Sequence, residues 1–387
     1  LYATALCLTY KNNKKALKKA EKLILKAISI NGTVEYYHQT LGYIYEVLET
    51  AYGEEGNLKR ALEAYQKAYF LNDHENNPLN AANLLLNLGN GYFLLGQYRK
   101  AFNYYVKRIE VGIPFQDRVR EIIFYRRYGA AAFQLHDSER TIKAYEKALS
   151  LIEERMEPKK ASNAFDRLSR YIIDRIITPA MEHEKIKDEA KRVAKRQSKI
   201  NSKLFKISRV DVLPPPDEEW NRYKKGIIEL VEEQKKVNKD VVSIAEAIKK
   251  DEDVDQTLSF LTNKILEALK FPEQLFMLRI EIKDRLGLAY QEAGRWRRAM
   301  DIFEEVFNDN KKLGLHKNLV RNKRSVAYNA YMAAGELSGS EREKMLKRAE
   351  EEFKEVMRLV KKYGVGEKKK KKRSMIPIGI SMEVSLN

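Results

Sequence analysis

Residues that could do chemistry are present in this chain, but they are not grouped as catalysis requires. The five histidines lie far apart, with no i,i+4 pair and no neighbouring cysteine: His38, His74, His136, His183 and His316. A zinc site or a nucleophile–base pair would need such groups close together. Neither a phosphate-binding glycine loop nor a Gly-x-Ser-x-Gly turn occurs in the sequence. The sequence therefore predicts no enzyme activity within these residues, and neither a cofactor nor a metal.

A loose internal repeat organises the apolar residues instead. Its clearest copies read L-G-x-x-Y, then eight residues, then A-x-x-x-aromatic. One copy has Gly89 followed by Ala101 and Tyr105, and a second copy has Gly287 followed by Ala299 and Phe303. Equal spacing in two distant stretches predicts one structural unit that is used several times.

This pattern resembles the tetratricopeptide repeat (TPR), a pair of antiparallel helices of about 34 residues. Four copies are recognised, centred on Gly42, Gly89, Gly129 and Gly287. Half-copies flank them around Ala20–Ala27 and around Ala327–Val356, and the packing positions expected in the latter are Ala327, Tyr331, Ala349, Phe353 and Val356. The resemblance covers roughly residues 1–155 and 275–363. It implies an all-α solenoid in which small residues allow close helix approach and each pair buries its apolar face on the next.

Four segments are expected along the chain. Residues 1–157 are predicted to form N-terminal TPR-like repeats, 158–272 a basic helical insert, 273–363 C-terminal TPR-like repeats, and 364–387 a Lys-rich linker. The linker ends in an alternating stretch, Ile376–Leu386, that reads as the first strand of a following domain. A disordered tail is the alternative interpretation of that stretch.

The insert contains a heptad pattern within a helix predicted over 217–250. Its apolar positions are interrupted once, by Gln234; the full series is Trp220, Tyr223, Ile227, Leu230, Gln234, Val237, Val241, Ile244 and Ile248. Such a seam is typical of a coiled coil. It favours a helical hairpin, a dimer contact, or a helix that packs along the solenoid. A shorter helix is predicted over Leu258–Leu269.

The chain is strongly basic, with 73 Lys and Arg against 55 Asp and Glu and a net charge of +18. One cluster, Lys368–Arg373, is predicted to be a solvated linker. The other forms a candidate basic patch in the insert: Lys191, Arg192, Lys195, Arg196, Lys199, Lys203, Lys206 and Arg209. Such a surface attracts nucleic acid or acidic proteins through salt-sensitive forces. Phe205 is the one aromatic residue in this cluster, so stacking on bases is weakly supported.

The TPR resemblance also implies a candidate partner-binding site. TPR proteins that hold a peptide's terminal carboxylate use Asn, Lys and Arg on the first helices, which line the concave face. The residues expected there are Tyr43, Asn83, Asn87, Asn90, Arg126 and Arg127. Gln39 and Ile123 stand where the family carries Lys, and an incomplete clamp loses charge for a carboxylate. We therefore expect a groove for a helix or loop of a protein partner; an ordinary polar face is the alternative.

The leading hypothesis is a non-catalytic scaffold for protein–protein interaction. Two alternatives remain: a regulatory region of a larger effector enzyme, as in TPR arrays fused to caspase-like peptidases, and nucleic-acid binding through the basic insert. The single cysteine, Cys7, excludes a disulfide framework and favours the cytoplasm, although a periplasmic location also fits. No apolar run is long enough to span a bilayer. The sequence makes no prediction of oligomeric state.

Overall fold

The structure is a computed structural model that describes residues 13–153, 160–208, 218–249 and 253–363. Contacts divide the chain into two units. Among the described residues, unit one comprises 13–151 together with 282–311 and 315–363, and unit two comprises those within 152–281 together with 312–314. The predictions made for residues 1–12 of the N-terminal segment, and for Arg209, Lys368–Arg373 and Ile376–Leu386, lie outside the described residues.

Most of the described residues lie in helices, which follow one another in this order. The helices before the insert are α1 (Lys14–Ile30), α2 (Glu35–Tyr52), α3 (Asn57–Leu71), α4 (Pro78–Leu94), α5 (Tyr98–Glu110), α6 (Arg118–Gln134) and α7 (Ser138–Glu153). They are followed by α8 (Lys160–Tyr171), α9 (Lys187–Ser208), α10 (Glu218–Ala247), α11 (Val254–Glu292), α12 (Trp296–Lys312), α13 (His316–Gly335) and α14 (Gly339–Tyr363). A π-helical turn, Ile172–Ile177, and a short turn, Thr178–Ala180, follow α8 directly.

One close contact recurs inside the helix pairs of unit one. A glycine on the first helix lies against the ring of an aromatic residue on the second; the pairs are Gly42–Tyr65, Gly89–Tyr105, Gly129–Tyr145 and Gly287–Phe303. A Cβ added to Gly89 would lie only 2.5 Å from Cε1 of Tyr105. Any side chain would therefore push the two helices apart. The predicted all-α solenoid of TPR-like pairs is confirmed by this repeated geometry.

The final pair, α13 and α14, departs from the predicted spacing. Tyr331 and Phe353 were expected to be packing residues, but they are 57% and 42% exposed. Ala327, Ala349 and Val356 are buried as expected. The prediction was wrong for the two rings. On α13 the buried positions next to Tyr331 are small residues, Ala330, Ala333 and Ala334, so the helix buries a face that does not include the ring.

The helix pairs of unit one continue across the insert. The Tyr290 hydroxyl, near the end of α11, donates to Oε1 of Glu146 on α7 at 2.6 Å. The two residues are 144 positions apart in sequence. Arg295 forms an ion pair with Glu139 beside them. The fourth pair therefore packs on the third, as if the intervening residues were absent.

Unit two is built around α9 and α10, which run antiparallel. Arg196 pairs with Asp240, and Nζ of Lys203 lies 2.6 Å from a Glu233 carboxylate oxygen. The heptad residues from Trp220 to Ile244 are all buried, in a core shared with α8 and α9. The seam thus lies in a helical hairpin within this unit.

The polar residue of the seam, Gln234, has a matching partner on α9. Nε2 of Gln234 donates to Oε1 of Gln197 at 2.8 Å, and Nε2 of Gln197 donates to Oε1 of Gln234 at 2.9 Å. Both side chains are completely buried. Since a buried amide must find partners, this reciprocal pair is what permits a glutamine inside the core.

Helix α11 is longer than the helix predicted from the sequence. We expected a helix over Leu258–Leu269, whereas one helix runs from Val254 to Glu292 with Pro272 inside it. Buried residues continue after the proline, at Leu275 and Leu278. Proline removes one backbone donor, and the packing of this apolar stripe outweighs that loss.

Candidate partner-binding site

A column of four asparagines runs along α4, the first helix of the second pair. Its members are Asn80, Asn83, Asn87 and Asn90, and all are half-buried. Spacings of three and four residues place them on one face of the helix. The helix begins at Pro78, and the side chain of Asn77 accepts a hydrogen bond from the Asn80 backbone as its N-cap. We call this set the asparagine column.

The two ends of the asparagine column are bonded within the protein. Asn80 accepts a hydrogen bond from Nε2 of Gln39 on α2 at 3.0 Å, and its own amide donates to Glu35. At the other end, Oδ1 of Asn90 accepts from the Tyr105 hydroxyl at 3.0 Å. Asn90, expected to contact a partner, therefore has a role inside its own helix pair.

The middle of the column is different. Within the described part of the chain, the side chains of Asn83 and Asn87 make no hydrogen bond. Each amide has two N–H donors and one oxygen acceptor. The column therefore presents two open amides, one helical turn apart, between two occupied ones.

The other residues expected in this site are more enclosed. Arg127 on α6 is only 5% exposed, and its guanidinium lies 6.0 Å from the centroid of the Phe93 ring. Arg126 is half-buried, and both arginines have further interactions within the protein. Tyr43 on α2 packs against the hydrophobic core of unit one. Arg127 consequently offers little surface to an external carboxylate.

The candidate basic patch lies on α9. Its described members are all exposed: Lys191, Arg192, Lys195, Arg196, Lys199, Lys203 and Lys206. Lys191, Arg196 and Lys203 have acidic partners, Asp188, Asp240 and Glu233. The other four described members of the patch form no ion pair with a described residue, and they are Arg192, Lys195, Lys199 and Lys206. Their spacing places the four in a single stripe along the helix.

Metal-binding and membrane-spanning features are absent from the described ranges. No group of three His, Cys, Asp or Glu side chains there is placed to hold a metal ion. Nor does any described helix combine the length and apolarity needed to cross a bilayer.

The chain matches no protein-family profile and no curated protein. Similar folds occur among solved structures. The crystal structure of YrrB, a TPR protein with an unusual peptide-binding site, is 16% identical, covers 58% of this chain and 97% of YrrB, and has a TM-score of 0.27. Yeast Tom70 is 14% identical, covers 93% of this chain and 91% of the Tom70 chain, and has a TM-score of 0.25.

The repeats are TPR-like. Because both TM-scores are low, the assignment rests on the helix pairs and on the four glycine–ring contacts, which this molecule itself displays. Helix pairs of this kind form scaffolds for protein interaction. The TPR-like array lies in unit one, and α9 with its basic stripe lies in unit two.

Sequence reasoning missed two features of the TPR-like array. The first is the hydrogen-bonded link from Gln39 through Asn80 to Glu35. The i,i+3 spacing of Asn80 and Asn83 could have indicated that Asn80 lies on the same helix face as the expected site residues. The second is a cavity beside Arg108, where an arginine stands in place of a small residue.

Proposed function

We propose that the TPR-like array binds a segment of a protein partner along its first helices, with Asn83 and Asn87 as the hydrogen-bonding groups. The observation that carries this proposal is the pair of open amides in the middle of the asparagine column. A partner backbone offers both N–H and C=O groups, which an asparagine amide can match simultaneously. Half-buried polar groups gain most from such pairing, because they are already partly removed from water.

The bound segment is proposed to be an internal stretch of the partner. A terminal carboxylate would need exposed cations on the first helices. Arg127 is buried, and Gln39, which stands where the family carries Lys, is bonded to Asn80. Hydrogen bonds to backbone amides, rather than charge, therefore account best for recognition at this face.

The test is a pull-down from the native lysate with nuclease present, followed by affinity measurements on the partner segment identified. The double variant Asn83→Ala/Asn87→Ala should bind about 10- to 100-fold more weakly, as expected for the removal of two hydrogen bonds of about 1 kcal/mol each. Its far-ultraviolet circular dichroism should match that of the wild type. Asn103→Ala is a matched control, since Asn103 is exposed on α5, the second helix of the same pair. Equal affinities of the double variant and wild type would exclude this placement of the site.

A second candidate function is binding of single-stranded nucleic acid by α9, favoured by its stripe of four cations that have no ion pair within the described ranges. Substituting glutamine at Arg192, Lys195, Lys199 and Lys206 should weaken binding of an oligonucleotide and flatten its salt dependence, by about 0.7 in log–log slope for each phosphate that is no longer neutralised. Glutamine at four exposed lysines of unit one, Lys311, Lys317, Lys344 and Lys347, removes the same charge elsewhere. Equal effects of the two variants would indicate that net charge alone attracts the oligonucleotide.

A further inference from the structure

Arg108 is a buried charge at a position where the other pairs have small or apolar side chains. It comes three residues after the aromatic residue of the second pair, Tyr105. Ala68, Ala148 and Val306 occupy the same position after the aromatic residues of the first, third and fourth pairs. Those three residues are completely buried, and Arg108 is 3% exposed. A long cationic side chain has thus replaced a packing residue at the end of α5.

The guanidinium of Arg108 is poorly satisfied by the protein. Nη1 donates to the Ile113 carbonyl at 2.8 Å, and the group lies 4.2 Å from the centroid of the Phe115 ring. Within the described residues this is its one hydrogen bond, and the buried Nε has no partner. An arginine has five N–H donors, so most of its bonding capacity is unused.

A cavity of about 410 Å³ adjoins this arginine. It lies between the end of α5, residues 111–117 of the connecting loop, and the start of α6. Its walls combine apolar and charged side chains, including Arg108, Ile113, Phe115, Arg118, Glu121 and Tyr125. We call it the Arg108 cavity.

The cavity walls retain a net positive charge. Glu121 is engaged by Arg118, whose Nη1 lies 2.8 Å from Oε2 of Glu121. With two cations against one carboxylate, an additional anion would be attracted. Burial also lowers the pKa of Arg108 below its ordinary value, although Tyr125 and Glu121 act in the opposite direction. Without a partner, a buried cation is unfavourable in the folded state.

We propose that the Arg108 cavity binds a carboxylate carried on an apolar or aromatic group. The carboxylate pairs with the guanidinium of Arg108, since the planar fork of arginine matches carboxylate geometry. The apolar part lies among Ile113, Phe115 and Tyr125. This site is separate from the asparagine column and does not depend on it. Two sources carry this chemistry: a small organic acid, and a carboxylate next to an aromatic residue of a partner peptide.

The test uses titration calorimetry on the full chain with four probes. Benzoate and benzamide form one pair; N-acetyl-Gly-Phe as the free acid and as the amide form the other. We expect at least one acid to bind at least tenfold more tightly than its amide. Binding of benzoate alone would indicate a small acid as the ligand, and binding of the dipeptide acid would indicate a peptide source. Equal binding of acid and amide in both pairs would overturn the proposal. It would also be overturned if neither acid bound with a dissociation constant below about 20 mM, which is about the weakest binding that such titrations resolve.

Two variants test the role of the guanidinium. Arg108→Met keeps a long side chain without charge, and the apolar residues of the other pairs at this position indicate that it will fold. We expect it to lose at least tenfold in affinity for the acid. Arg99→Met, an exposed arginine on the same helix, is the matched control. Unchanged affinity of Arg108→Met for the acid would also overturn the proposal. If that variant does not fold, the comparison of acid with amide on the wild type decides the question.

Discussion

The two units bring their helices together by different means. In unit one, a glycine meets an aromatic ring in each of four helix pairs, so that the helices touch at one point of close approach. In unit two, α9 and α10 pack through a seam of apolar residues that is interrupted once, by a buried pair of glutamines. An apolar seam tolerates sliding by a heptad, whereas a hydrogen-bonded amide pair fits one register. Steric fit therefore fixes the pairing in unit one, and a polar pair fixes it in unit two.

Gly89→Ala should break the close contact in unit one, with the largest effect. The new Cβ would lie 2.5 Å and 2.7 Å from two atoms of the Tyr105 ring. That ring is completely buried and its hydroxyl is bonded to Asn90, so it cannot move aside freely. Overpacking costs about 3 kcal/mol, and the better helix propensity of alanine offsets about 1. Urea denaturation should show a net decrease of about 2 kcal/mol in the free energy of unfolding.

Gly335→Ala is the matched control for that measurement. A Cβ at Gly335, the last residue of α13, would meet no atom within 4 Å. The free energy of unfolding should be unchanged or slightly higher. Similar decreases from both substitutions would mean that glycine is not needed for close approach at Gly89.

Gln197→Leu should weaken the register contact of unit two by a smaller amount. It leaves the buried amide of Gln234 without its reciprocal partner, which should cost about 1.5 kcal/mol in the free energy of unfolding. The double variant with Gln234→Leu removes both polar groups, so its destabilisation should be smaller than the sum of the two single effects. Chemical denaturation of the three variants measures the coupling. Strictly additive effects would argue against a paired amide contact.

Tyr290→Phe should have the smallest effect, and it tests whether unit one uses a polar contact to join its third and fourth pairs. Removing the hydrogen bond to Glu146 should cost about 1 kcal/mol at neutral pH. Tyr328→Phe is the control, because Tyr328 is 44% exposed and its hydroxyl has no hydrogen bond within the described residues. Equal stabilities of the two variants would contradict the expected contribution of the Glu146 contact.

The same contact gives a pH dependence. Burial, and then the Glu146 carboxylate, raise the pKa of Tyr290 from 10.0 to about 12. The folded state then holds this proton more tightly than the unfolded state. The stabilisation is complete below pH 10 and is lost as the pH rises towards about 12. The difference in the free energy of unfolding between wild type and Tyr290→Phe should shrink over that window.

The sequence predicted the fold because packing in unit one depends on residue size at fixed spacing, and size follows directly from residue type. Gly89 and Tyr105 are an example. Side-chain exposure was less predictable, since it depends on neighbouring helices. Arg127 is covered over Phe93, and Tyr331 is left uncovered, although both lie on first helices of pairs.

The candidate sites were also predictable only in part. Helical spacing placed Asn83 and Asn87 on one face, but it could not show that Asn90 would be bonded to Tyr105. The cavity beside Arg108 was beyond sequence reasoning altogether. Its volume depends on the path of the loop after α5, and no residue pattern specifies that path.

The contact between Tyr290 and Glu146 has a consequence for the order of folding. Arrays of this kind normally fold by growth from one pair to the next, because neighbours in space are neighbours in sequence. Here the third and fourth pairs meet across 144 positions, compared with 15 positions for the contact between Tyr105 and Asn90. Closing the longer loop costs about 2 kcal/mol more in chain entropy. Growth along the array should therefore pause after α7 until unit two has formed, which makes the fourth pair the late-folding end of unit one.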